Sequence, residues 1–236
     1  MNAEKNRLES VADNSLYTTF SNAMTIEYCY DIYKRFLIDG SILELGPAEG
    51  LMTKYLVDVT RQLTLVDGSE KFCDELKLRF PGVEIINCLF EDFQPAGKYD
   101  NILLGHVLEH VEDPVAILKR VKSWLKDDGV ILAAVPNSRS LHRQAAVIMG
   151  IQATEDSMSE LDYHHGHRRI YSPETFRGDF AKADLKVVHF GGYWLKPIAN
   201  SQIHATWTKE MLFAFMKLGE RYPDIAGEIY VVASNK

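Results

Sequence analysis

The residues best placed to do chemistry fall into two groups. The first is Ser41-Ile-Leu-Glu-Leu-Gly-Pro-Ala-Glu-Gly50, followed after a second apolar run by Asp67. Ile42 to Leu45 reads as a short buried strand. Gly46 to Gly50 reads as a glycine-bracketed turn, with a helical pattern beginning at Leu51. Gly46 permits a sharp turn, and Gly50 permits a helix to start close to a ligand. The run Leu63-Thr-Leu-Val66 ends in Asp67. An acid at the tip of the second strand of an open α/β sheet is where a ribose is held by its hydroxyls. This corner is therefore expected to take a nucleoside-containing ligand. The second group is rich in histidine: Gly105-His-Val-Leu-Glu-His110 and Tyr163-His-His-Gly-His-Arg-Arg-Ile-Tyr171. Imidazole is the side chain that exchanges a proton near neutral pH.

The charges around the turn discriminate between nucleoside ligands. Glu44 and Glu49 flank it, and Ala48 stands where a middle glycine would be. Acids beside a pyrophosphate would be repelled, and the dinucleotide spacing G-x-G-x-x-G is absent. Beside a sulfonium and an α-amino group the same acids are favourable. The stretch resembles motif I of the class I S-adenosylmethionine-dependent methyltransferases, E/D-x-G-x-G-x-G, with Ala48 as the departure. Leu65-Val-Asp-Gly-Ser69 is similar to the ribose-binding segment of that family. Leu89-Phe-Glu-Asp92, after a third strand Val83 to Ile86, is similar to its adenine-binding segment. Tyr99 to Pro114 resembles the fourth strand and its loop, and Val130 to Asn137 the fifth strand. The likeness covers roughly residues 40 to 137. It implies that S-adenosylmethionine (product S-adenosylhomocysteine) is held by Glu44, Gly46, Pro47, Ala48, Glu49, Gly50, Asp67, Gly68, Ser69, Leu89, Phe90, Glu91, His106, Val107 and His110.

Methyl transfer from a sulfonium is an in-line displacement that releases a neutral thioether, so the cofactor supplies the driving force. The protein must align the partners and remove a proton from a hydroxyl or amine acceptor. His106, His165 and His167 are the candidates for that proton. His106 otherwise ends a strand structurally, and His110 braces its loop or touches ligand. Tyr17, Met24, His164, Arg168, Arg169, Tyr171 and Trp194 are the candidate acceptor contacts. For the arginines, a bidentate grip on a carboxylate or phosphate competes with a solvated surface. Trp194 competes with a core position, and Tyr17 and Met24 with packing on the sheet. For Lys196 an anion contact competes with a solvent-facing position, and the solvent-facing one is expected. His106-x-x-Glu-His110 and His164-His-x-His167 contain enough nitrogen for a divalent ion. The first pair lacks a long metalloprotease-type helix, however, and no metal is expected.

The elements that must position these residues follow from periodicity. Residues 1–16 are polar and expected to be poorly ordered at the start. Met24, Tyr28, Ile32 and Phe36 set a helix over Ala23 to Leu37. Ser69 caps a helix with a Phe72, Leu76, Phe80 stripe, and Asp113-Pro114 starts another whose buried face is Val115, Leu118, Val121 and Leu125. Residues 138–171 form an insertion that opens with a helix (Leu141, Ala145, Ile148, Met149), before the capped helix at Ser172-Pro. A strand at Leu185 to Phe190, a helix with Met211, Phe215 and Leu218, and a last strand at Glu228 to Ala233 complete the chain. Alternation of this kind gives a doubly wound α/β fold. The resemblance specifies a Rossmann-like, mostly parallel seven-stranded sheet with an antiparallel last strand. The expected organisation is one methyltransferase domain: helical cover 1–39, cofactor core 40–137, substrate cap 138–171 and remaining sheet 172–236.

Composition narrows the partners. The chain has 236 residues, 46% of them apolar, and a net charge of −7. That balance disfavours a nucleic-acid substrate, and no apolar run is long enough to span a bilayer. Three scattered cysteines make no disulfide framework, so a cytoplasmic location is expected. The acceptor is expected to be a polar small molecule methylated at a hydroxyl, amine or carboxylate, with the oligomeric state open, a homodimer included. The competing readings are an NAD- or nucleotide-binding oxidoreductase and a non-catalytic cofactor-binding module.

Overall fold

The computed structural model describes residues 3–203 and 206–235. Seven strands form one sheet: β1 (Ile42–Leu45), β2 (Leu63–Asp67), β3 (Glu84–Asn87), β4 (Tyr99–Gly105), β5 (Leu125–Pro136), β6 (Lys186–Tyr193) and β7 (Glu228–Ser234). Their order across the sheet is β3-β2-β1-β4-β5-β7-β6. β7 is antiparallel to both its neighbours, and every other pairing is parallel. This is the expected Rossmann-like sheet with its reversed last strand. The helices are α1 (Ala3–Asp13), α2 (Phe20–Tyr33), α3 (Thr53–Leu56), α4 (Glu70–Arg79), α5 (Pro114–Trp124), α6 (Leu141–Ile148), α7 (Glu160–His164), α8 (Pro173–Lys182), α9 (Asn200–Ile203) and α10 (Lys209–Gly219). No helix of the described residues is long and apolar enough to cross a membrane.

Two cores sandwich the sheet, and the strands feed them alternately, as a period of two requires. Leu43, Leu45, Ile131, Ala133, Val135, Ile229 and Val231 join Ile117, Leu118 and Val121 of α5 and Phe176 and Phe180 of α8 on one face. Ile42, Leu132, Ala134, Tyr230 and Val232 join α2, α3, α4 and α10 on the other. The caps form as the sequence dictates. Ser69 accepts from the Phe72 amide, Asp113 from the Ala116 amide at 2.9 Å, and Ser172 opens a capping box.

Several expectations are corrected. Residues 1 and 2 lie outside the described residues, but Ala3 to Asp13 is helix rather than loosely ordered chain. Its polar side chains find partners: Glu9 accepts from the Ser69 hydroxyl at 2.9 Å and the Glu70 amide at 2.6 Å. α2 stops at Tyr33, short of Leu37. β5 begins at Leu125, before Gly129, because Leu125 already pairs with Tyr99. Val115 is only half-buried, and Ile117 and Trp124 join Leu118 and Val121 on the inner face of α5. The apolar side of α6 points outward: Ile148 is 86% exposed and Met149 71%, and Arg143 is the residue buried. In α10 the buried stripe is Leu212, Met216 and Gly219, one residue on from the expected one.

Candidate active site

One cavity opens at the carboxyl edge of β1, β2, β4 and β5, under α1, the start of α2 and the 138–171 segment. That edge is where open α/β sheets bind ligands. At the β1 turn, Gly46 has φ +64, and a Cβ there would come within 3.0 Å of Val107 Cγ2. Ala48 also lies at positive φ, +46, a conformation that a side chain disfavours. The middle-glycine position of the motif therefore keeps glycine-like geometry here while carrying a methyl. Gly50 has φ +71 but does not line the cavity. A Cβ on it would meet Leu76 and Phe80 at 2.7 Å, so this glycine seats α4 against the turn.

Two buried acids face this end. Asp67 accepts from the Ser69 amide at 2.8 Å and the Ala48 amide at 3.2 Å. Burial pushes its pKa up to about 6 against the pull of those two bonds. Glu44 accepts from the Thr53 hydroxyl at 2.6 Å, and burial pushes it up to about 7. Glu49 accepts from the Ser15 hydroxyl. Pro47, Ala48, Gly68, Ser69, Leu89, Phe90, Glu91 and Val107 complete the lining. A slot with acids at its turn, Asp67 at the second strand tip and Leu89 and Phe90 beside it fits a ribose, an adenine and a cationic methionine moiety. Every expected cofactor residue except Gly50 lines it.

The other end of the cavity carries opposed charges. His106 sits at φ +58 just beyond β4. Its Nε2 is 3.3 Å from the Tyr193 hydroxyl, and its Nδ1 lies 3.4 Å from Glu109 and 3.8 Å from Glu228. Burial opposes the charged ring, but the two carboxylates outweigh it and raise the His106 pKa. Glu228 opens β7 opposite Pro136 of β5, and its Oε2 is buried without a hydrogen-bond partner. Burial raises its pKa, with His106 and Lys196 acting against that. Lys196 holds its ammonium 4.8 Å over the Trp194 ring, and burial lowers it to about 8. His165 stacks on Tyr17 with ring centres 5.5 Å apart and is kept neutral by burial, with a pKa of about 4. Arg143 and Asp162 pair at 2.7 Å.

His106, His110, His165, His167, Tyr17 and Trp194 thus converge on the cavity. The remaining expected acceptor contacts lie elsewhere. Met24 is in the core between α2 and the sheet. His164 is exposed, with Nε2 2.9 Å from the Asn14 carbonyl. Tyr171 is buried in the opposite core and donates to Asp179 at 3.2 Å. Arg168 donates to the His110 carbonyl at 3.0 Å and pairs with Glu4. Arg169 donates to the carbonyls of Leu108, Val111 and Glu112. Both arginines brace the loop after β4, because orphan carbonyls there need donors. Lys196, expected in solvent, lines the cavity instead. Glu109, Glu228, Arg143 and Asp162 were not legible as site residues. The one available signal was an acid at the start of the last strand, beside the edge where ligands bind.

Comparison with known proteins places this geometry. A methyltransferase-domain family model matches residues 23–190. The chain belongs to that family and is an S-adenosylmethionine-dependent methyltransferase. A ubiquinone biosynthesis O-methyltransferase of Actinobacillus pleuropneumoniae serotype 5b is 25% identical over 177 residues, 70% of this chain and 73% of that protein. The N-methyltransferase NodS from Bradyrhizobium japonicum, solved with S-adenosyl-L-homocysteine, superposes with a TM-score of 0.62 at 13% identity, covering 99% of each chain. An S-adenosylmethionine-dependent methyltransferase from Mesorhizobium loti gives a TM-score of 0.62 at 14% identity over 86% of this chain and 95% of that one. At such identities the solved structures show a shared fold.

Proposed function

We propose that this enzyme methylates an oxygen or nitrogen of a polar small molecule that carries an anionic group. The observation that carries this reading is that Lys196, Glu228 and His106 all line the acceptor end of the cavity. A half-buried ammonium, with Glu228 and Asp162 as its nearby opposite charges, is suited to an acceptor anion. An unpaired Glu228 oxygen is suited to a donor on the same molecule. The O-methyltransferase name of the Actinobacillus relative supports oxygen as the acceptor atom. The charged walls favour a polar compound over an apolar chain.

When bound, S-adenosylmethionine supplies an electrophilic methyl group. Asp67 holds the ribose hydroxyls, and Glu44 and Glu49 place negative charge near the cationic end. His106, its Nδ1 oriented by Glu109, takes the proton from the acceptor at Nε2, where the acceptor replaces the Tyr193 hydroxyl. A base whose pKa is raised is active only above that pKa, so turnover is lost as pH falls through it. His165 and His167 close the acceptor side and exclude water. The enzyme works in the cytoplasm on a soluble metabolite, with residues 138–171 as its cap.

The test is transfer of labelled methyl to a panel of hydroxy acids, phenols, amines and their uncharged esters. Acids should be methylated, and Lys196→Met should raise KM for them at least about tenfold while leaving the esters unchanged. Methylation of neutral compounds alone, insensitive to Lys196→Met, would overturn the reading. Transfer to nothing, with cofactor binding intact, would favour a binding module.

A further inference from the structure

Glu109 stands out among the described residues. Its side chain is 1% exposed, yet neither carboxylate oxygen has a hydrogen-bond partner. The His106 Nδ1 lies 3.4 Å from one of those oxygens, and a buried carboxylate needs more partners than that one contact supplies. Two imidazoles converge on the same point. His110 and His167 pack edge to face with ring centres 4.8 Å apart, and one ligand atom from each of the three residues lies within 4.8 Å of the others. The His110 Nε2 is 4.0 Å from Glu109.

The surroundings are arranged as a metal centre requires. The His167 Nδ1 lies 3.4 Å from Asp162, which is itself held by Arg143 at 2.7 Å. A carboxylate behind one ring nitrogen leaves the other free and fixes the ring. The two loops that carry the donors are pinned to each other. Arg7 donates to the Gly166 and His110 carbonyls, and the Arg168 amide donates to the Glu109 carbonyl at 2.8 Å. In a tetrahedral zinc site, donors about 2.0–2.1 Å from the ion lie about 3.4 Å apart, so the three groups need only draw together modestly.

We propose that Glu109, His110 and His167 form a divalent transition-metal site at the acceptor end of the cavity. Two nitrogens and one carboxylate suit zinc, cobalt or manganese better than calcium or magnesium. All three residues line the cavity, so an open coordination position faces the acceptor, as in catalytic rather than structural sites. The metal site stands on its own geometry. The further point, that an acceptor oxygen occupies the open position, rests on the proposed methyl transfer.

The test is titration of the full chain, stripped with a chelator, with Zn²⁺ or Co²⁺ alone. One ion per chain should survive dialysis, and Co²⁺ should give the intense visible bands of a four- or five-coordinate centre. Glu109→Gln and His167→Asn should each weaken binding at least about tenfold, while both keep the far-ultraviolet circular dichroism of the native chain as a check of folding. His164→Asn, which alters the exposed histidine beside the site, should leave metal binding unchanged. No stoichiometric ion, or unchanged affinity in Glu109→Gln and His167→Asn, would overturn the proposal. So would equal loss in His164→Asn, because the ion would then belong to the exposed histidine tract. Cofactor affinity is read separately, so a failed metal site leaves the methyltransferase reading standing.

Discussion

Ala48 shows what a single residue carries. Its φ of +46 is one that a Cβ makes unfavourable and glycine adopts freely. Ala48→Gly should therefore raise stability by about 0.5–1 kcal/mol, seen as a small rise in Tm, without weakening cofactor binding. His106 gives the second prediction at this scale. His106→Gln should cut kcat at least about a hundredfold and leave S-adenosylhomocysteine affinity within a few fold, and the pH dependence of kcat should flatten. A variant with full turnover would move the proton to another group, Glu228 first. Motif spacing exposed Glu44, Asp67 and His106, because those residues sit at fixed offsets from strand ends. It could not expose Glu228 or Asp162, which reach the cavity only through the pairing of β7 with β5 and the fold-back of the cap, nor place Lys196 in the cavity rather than in solvent. Nor could spacing show that Arg168 and Arg169 serve backbone carbonyls.

Among the elements, strands were more readable than helices. β1, β2 and β7, and the later residues of β4 and β5, are short apolar runs that only a buried sheet explains. α1 had no such signal, since Ala12 is its one buried residue. Its position is set by Glu9 on the α4 cap, by Lys71 against Asp13 at 2.9 Å and by Leu8, which lies where a Gly68 Cβ would be. Because α1 roofs the cofactor end, removal of residues 1–13 should weaken S-adenosylhomocysteine binding at least about tenfold by calorimetry. The far-ultraviolet circular dichroism of the sheet should persist. Unchanged affinity would show that α1 is not a cover. The misplaced stripe of α10 has a local cause. Gly219, a residue with no apolar side chain to count, is the point of closest approach: a Cβ there would sit 2.3 Å from the Trp194 amide nitrogen. Gly219→Ala should therefore destabilise the fold by about 2–4 kcal/mol, measurable in denaturant.

Across the molecule, a largely parallel sheet was legible because alternating strands and helices admit few topologies, its reversed last strand only through the family resemblance, and the cap, a long irregular connection, only as an insertion. The whole fold bears a cost for its cofactor site. Asp67, ordinarily near 3.8, is raised to about 6, and Glu44, ordinarily near 4.5, to about 7. The folded state takes up these protons more readily than the unfolded chain. These two acids therefore favour the free fold below their ordinary pKa values and lose that contribution as pH rises through about 6 and 7. Asp67→Asn should accordingly raise the Tm of the free protein at pH 7.5, by the equivalent of about 1–2 kcal/mol, while impairing cofactor binding. A lower Tm would mean that the Ser69 and Ala48 bonds to Asp67 outweigh its burial.

The same acids give the most direct test of the central claim, that the cavity between Glu44 and Asp67 is a cofactor site worked by ionised carboxylates. Calorimetric titration with S-adenosylhomocysteine should show one micromolar site per chain at pH 7.5, weaker by about tenfold or more at pH 5.5. Asp67→Asn should bind weakly at both. No binding by the native chain, or equal affinity in Asp67→Asn at both pH values, would contradict the account.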